Sequence, residues 1–174
     1  EAKKRRKKRW ALAGGFAVFL MLSSIPVVRD RKPQWLALRA SRELAEQVTR
    51  LKREAGSRQL ALRLRVDPSQ PLALIVEHAE RCDSSHFEAD QSITLLAGHP
   101  DRDSLTWLDP VRGREVGIPG LTSQICFDPL SGSDATASGG AVGFVILPVK
   151  ELTEIPDRYS VVVLTGPSAE ISFE

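Results

Sequence analysis

Hydrophobic positions follow three different patterns along this 174-residue chain. Residues 10–28, WALAGGFAVFLMLSSIPVV, form an unbroken run of 19 uncharged positions. In a helix such a run rises about 28 Å, close to the ~30 Å hydrocarbon thickness of a bilayer, and so reads as a transmembrane helix. Farther on, Pro33 can open a helix and Gly56 with Ser57 can end one. Between them Leu44, Val48, Leu51 and Ala55 recur in steps of 4, 3 and 4, which places them on one helical face. Leu44, Val48 and Leu51 are assigned to packing this amphipathic helix on a sheet. Arg42, Glu43, Glu46, Arg50, Arg53 and Glu54 fill the other faces, and Glu46–Arg50 has the order and spacing of an i,i+4 ion pair.

From residue 60 the period falls to 2. Leu60, Leu62, Leu64 and Val66 alternate with Ala61, Arg63 and Arg65, the pattern of a half-buried strand. A turn over Asp67–Pro71 separates it from a second strand at Leu72–Glu77. Ile93–Ala97 and Ser104–Leu108 are weaker strand candidates. Gln124–Phe127 is a short strand stopped by Asp128 and Pro129, and Ser131–Gly140 is a polar loop of small residues. Ala141–Leu147, Arg158–Thr165 and Ala169–Phe173 complete the strands. One helix followed by many antiparallel strands, without alternation of strand and helix, predicts an α+β fold. The expected organisation is a basic segment over residues 1–9, a span over 10–28, a connector and amphipathic helix over 29–57, and a β-rich body over 58–174.

Charge sharpens that division. The net charge of +2 conceals a split: residues 1–65 hold 18 Lys and Arg against 5 Asp and Glu, whereas residues 66–174 hold 6 against 17. Lys3–Arg9 is seven consecutive cations directly before the apolar run. The positive-inside rule keeps that segment in the cytoplasm and sends the body across the membrane, with Arg29, Arg31 and Lys32 opposing it weakly. The region around Ser23, Ser24 and Ile25 is a poor cleavage site for a secretory signal, so an uncleaved anchor is expected. The part large enough to fold is acidic, which argues against a nucleic-acid-binding globule.

Candidate chemistry is sparse. His78, Cys82 and His86 are spaced by four and would share a face on a helix, where they could bind zinc or copper; the polar Asp83, Ser84 and Ser85 favour a loop instead. His99, Asp101 and Asp103 form a second, weaker ligand-like group. No nucleophile elbow, zinc-protease motif, phosphate loop, dinucleotide fingerprint or C-x-x-C is present. Ser168, in TGPS after a strand, has no base suggested near it. No catalytic residue, cofactor or resident metal is therefore expected. Cys82 and Cys126 are the only cysteines. In an oxidising periplasm an even pair favours a disulfide, with two buried thiols that never meet as the alternative.

The layout resembles the minor pseudopilins of the H type in type II secretion and the related minor type IV pilins. The resemblance rests on LAEQVTRLKREA from Leu44 to Ala55 running into RQLALRLRVD from Arg58 to Asp67. Later features are Ile125–Pro129, Ser138–Gly140, Tyr159–Val163, Gly166 and Ile171. It implies a pilin-like ectodomain, a non-enzymatic role in assembly, a lipid bilayer and other protein subunits as partners, and the inner membrane of a bacterium as the location, with the C-terminal domain in the periplasm. Gly15 and Phe16 could supply the prepilin cleavage site. Leu20, however, stands where a processed pilin carries glutamate. That departure keeps open a second reading, an accessory scaffold of another membrane assembly such as an energy-transducing or light-harvesting complex. A periplasmic metal-binding or enzymatic module built around His78–His86 is a third.

Overall fold

The computed structural model describes residues 32–118, 120–129, 142–152, 160–165 and 168–173. The apolar run over 10–28, with Gly15 and Phe16, and the Ser131–Gly140 loop lie outside the described residues. Among the described residues no helix is long and apolar enough to cross a membrane.

Helix α1 occupies residues 32–58. Its inward face carries Leu36, Ala40, Leu44, Val48, Leu51 and Ala55, all at most 2% exposed. Ser41 is also buried there, and its hydroxyl donates to Ala37 O at 2.9 Å, so no polar atom of that side chain is stranded. The expected stop at Gly56 and Ser57 is one residue early. The helix runs on to Arg58 and ends because Gln59 adopts a positive φ of 57°. Leu60 N then donates back to Ala55 O, and Gln59 Nε2 donates to Gly56 O. This is a Schellman closure with glutamine in the place usually held by glycine.

Among the described residues eight strands follow: β1 Ala61–Val66, β2 Ala73–Ala79, β3 Glu88–Thr94, β4 Leu105–Trp107, β5 Gln124–Phe127, β6 Val142–Pro148, β7 Ser160–Thr165 and β8 Ser168–Phe173. They form two four-stranded sheets, in orders β3-β2-β1-β5 and β4-β6-β7-β8, with every named strand pair antiparallel. The α+β reading with a helix on antiparallel strands therefore holds. One buried cluster joins α1 to both sheets through Leu62, Leu64, Leu74, Ile125, Phe144, Ile146 and Val162. A smaller cluster comprises Leu108, Ile118, Val145 and Leu147.

Two elements depart from the sequence pattern. The third strand is Glu88–Thr94, EADQSIT, rather than Ile93–Ala97. Its first five residues are exposed and a bulge interrupts its pairing with β2, so no hydrophobic alternation announces it. The segment after β4 holds a helix that the sequence pattern does not announce. Asp109 caps a short helix α2, Pro110–Glu115, accepting from Val111 N and Arg112 N, with Pro110 opening it. A Cβ at Gly113 would lie 2.2 Å from Leu121 Cδ1, so a larger residue there must displace that leucine side chain.

Candidate interaction surface

The alternation in β1 sorts its side chains. Leu62 and Leu64 enter the core, while Arg63 and Arg65 stand on the opposite face of the sheet, where the antiparallel register sets Arg63 across from Glu77. Arg63 Nε donates to Glu77 Oε2 at 2.6 Å and Arg65 to Glu77 Oε1 at 3.1 Å. The Arg63 guanidinium also lies 3.7 Å from the Phe87 ring centroid, a cation–π contact. Burial alone would raise the Glu77 pKa, but hydrogen bonds from Arg65 and Arg63 outweigh it and hold the carboxyl below its ordinary value. Arg63 faces Cys126 on its other side, in β5.

Cys82 and Cys126 form a disulfide, with Cα atoms 5.8 Å apart. It ties the loop after β2 to β5, on the other side of β1 in the sheet order. The bond also removes Cys82 from any metal-ligand role. Of the other two members of that candidate group, His78 stands on β2, its Nε2 3.7 Å from Glu88 Oε2, and His86 is exposed in the loop. These histidines line a shallow pocket with Glu80, Ser84, Ser85 and Glu88. Among the described residues no three His, Cys, Asp or Glu are placed to hold a metal ion.

The second ligand-like group is dispersed by its partners. His99 Nδ1 accepts from Asp101 N, Asp103 meets Arg102, and Asp101 meets Lys32 at 2.8 Å. The Lys32 contact, a hydrogen bond as well as a charge, holds the Asp101 carboxyl below its usual range. Together with the hydrogen bond from Gln34 Nε2 to Glu151 Oε1, it fastens the described beginning of α1 to two loops. At the other end of the helix, Arg58 bonds both Glu54 and Asp90. Asp90 is held below its ordinary pKa, first by that hydrogen bond.

The face of α1 turned away from the core differs from all of these. Trp35 is 61% exposed. Arg39, Arg42, Glu46, Arg50 and Arg53 continue from it in steps of 4, 3, 4, 4 and 3, all exposed. The ridge from Trp35 to Arg53 is about 27 Å long. The expected Glu46–Arg50 pair is not formed, and none of the four arginines has a hydrogen bond or ion pair among the described residues. Arg58, Arg63, Arg65, Arg81, Arg102 and Arg112, by contrast, each have a carboxylate partner.

Leu44, Val48 and Leu51 are buried in the main cluster, opposite this ridge. Sequence reasoning named Arg42, Arg50 and Arg53 only as helix filler and passed over Trp35 and Arg39. The available signal was the helical wheel itself, because positions opposite the apolar stripe must be the most exposed. Phe87 and Glu77 carried no such signal, since only the β1–β2 register and the disulfide loop bring them to Arg63.

The sequence matches no known protein-family profile and no curated protein. Among solved structures, the minor pseudopilin EpsH from the type 2 secretion system of Vibrio cholerae aligns with 78% of this chain and 95% of its own length, at 14% identity and a TM-score of 0.47.

Proposed function

We propose that this protein is a non-enzymatic structural subunit of a pilus-type or pseudopilus-type assembly, anchored in a bacterial inner membrane by residues 10–28, with its body in the periplasm. The observation that carries this reading is the order of parts. An uncharged 19-residue run leads toward a helix of at least 27 described residues, and one face of that helix forms the core with two antiparallel sheets. Such a helix can hold a rigid body at a set distance from a membrane while leaving its outer ridge free for other subunits. The disulfide suits an oxidising compartment, and the helix-to-strand sequence from Leu44 to Asp67 supports the pilin-type assignment.

Leu20 favours the second reading, an accessory subunit of a different membrane assembly, because an apolar residue cannot supply the charge that a pilin uses within its span. Purification of the native assembly from membranes, with N-terminal sequencing of the recovered chain, separates the two. Recovery with pilus-type or secretion subunits is the expected result, and a mature start at Phe16 would add prepilin processing to it and shorten the anchor to residues 16–28. Retention of Lys3–Arg9 and stoichiometric recovery with another membrane complex would replace the first reading with the second. Release of the chain by an alkaline wash would overturn the anchor common to both.

A further inference from the structure

A pocket opens beside the described beginning of α1. Pro33 and Leu36 of the helix, Pro148 at the end of β6 and the adjoining Val149 line it, with Lys32 and Lys150 at their side. It encloses about 330 Å³, room for a chain segment rather than for one or two waters. Val149 is 45% exposed and Trp35, on the neighbouring flank of the helix, 61%, so apolar surface is left uncovered around it. Lys150 has no partner among the described residues. Lys32 meets Asp101, and an ammonium group keeps further N–H donors for a second acceptor.

The position of this pocket along the chain identifies what covers it. Residue 28 closes the apolar run and Lys32 opens the helix, a separation of four residue steps. Four steps span about 6 Å at helical rise and no more than ~14 Å fully extended. The headgroup layer outside the hydrocarbon is itself about 5–7 Å thick on each face. An anchor over 10–28 therefore holds the pocket at the phospholipid headgroups or just beyond them. The far end of α1, about 40 Å away, is built differently. Arg58 is taken up by Asp90 there, and Glu88, two residues from Asp90, is 84% exposed.

We propose that this pocket seats a phospholipid of the bilayer that anchors the chain. Lys150 and Lys32 hold the phosphodiester, while Pro33, Pro148 and Val149 cover the glycerol and the upper acyl segment. Lysine suits the rim because its stem can lie on apolar surface while its ammonium reaches a phosphate. Trp35 is placed to rest at the interface, where an amphipathic ring is favoured. The inference rests on the anchor proposed above and adds a peripheral contact, which fixes how the body stands over the membrane.

Photocross-linking of the full chain in nanodiscs of phosphatidylethanolamine and phosphatidylglycerol tests this, using a phospholipid with a diazirine close to its glycerol. Mass spectrometry of the adducts should find two sets, one on residues 10–28 and one on the pocket walls, 32–36 and 148–150. The variant Val149→Asp/Lys150→Glu should lose at least about fivefold of the wall adducts and keep those on 10–28. Val149→Leu/Lys150→Arg should keep both sets, and an unchanged melting curve for each variant separates lost lipid from lost fold. Adducts on 10–28 with none on the walls overturn the lipid site and leave the anchor standing. Wall adducts that persist in the charge-reversed variant overturn the site as well. Absence of adducts on 10–28 overturns the anchor itself, and the inference falls with it.

Discussion

Arginine is used in two opposite ways on this molecule. Arg63 and Arg65, on the outer face of the first sheet, are held by Glu77, by the Phe87 ring and by a register that leaves them one orientation. Arg39, Arg42, Arg50 and Arg53, on the outer face of α1, have no partner among the described residues. The difference follows from geometry rather than residue type. A pleated sheet brings side chains from adjacent strands within about 5 Å of each other, so a carboxylate across the ladder meets an arginine directly. A helix flank facing solvent offers only i,i+3 and i,i+4 neighbours; of the acids in that reach, Glu43 accepts from Leu96 N and Glu54 meets Arg58, which leaves Glu46 for this ridge. The first set therefore belongs to the fold, and the second is left over from it.

The comparison can be broken from the sheet side first. The double variant Cys82→Ser/Cys126→Ser opens a loop of 44 residues and should cost about 4 kcal/mol by the loop-entropy argument. The expected drop in Tm is on the order of 10 °C, read by circular dichroism with and without reductant. Reductant should lower the wild-type Tm and leave the variant unmoved. Equal melting of the two proteins would show that the disulfide contributes nothing to this face.

Glu77→Gln comes next, with an expected loss of about 1–3 kcal/mol at neutral pH, since two arginines lose their charged acceptor. Its pH dependence has a definite sign. The folded-state carboxyl is held below its ordinary value, so its stabilisation is full above the unfolded pKa of about 4.3 and is lost as the pH falls through the folded one. Urea melts of wild type and variant should converge as the medium is acidified below about pH 4, and a gap that stays constant would sink the assignment. The smallest effect belongs to the ridge. Arg→Ala at positions 39, 42, 50 and 53 should change stability by no more than about 0.5 kcal/mol each, because nothing in the fold depends on those groups. A larger loss in chemical denaturation would mean that the ridge is part of the fold after all.

Legibility in the sequence ran along the same division. The inward stripe of α1 was readable because burial on one face imposes a period of 3.6 on apolar residues, and Leu44, Val48 and Leu51 obey it. Strand β1 was readable for the parallel reason at period 2, and β5 was placed at Gln124–Phe127 where it is found. Strand β3 was not. Five of its seven residues face solvent, and an exposed strand gains its stability from ladder hydrogen bonds, which leave no mark on residue type. The helix end at Gln59 was hidden for a related reason. The positive φ there is sustained by the Leu60–Ala55 closure, whereas the nearby Gly56 offered the more familiar signal.

What the sequence by itself determined is the set of things that depend on neighbours in the chain: the helix face, the alternation of β1, the presence of a second strand after the turn, the antiparallel α+β class and the segregation of charge. Tertiary structure decided everything that depends on which distant residues meet. It split the strands into two sheets, joined Cys82 to Cys126, gathered Arg63, Arg65, Phe87 and Glu77, dispersed the candidate metal groups into turns and ion pairs, and left one flank of α1 without partners among the described residues. Period and composition report how a residue faces the core, because burial acts on each position separately. Pairing across 14 or 44 residues, as between Arg63 and Glu77 or between the cysteines, is set by strand register and loop path, which hydrophobic pattern does not encode.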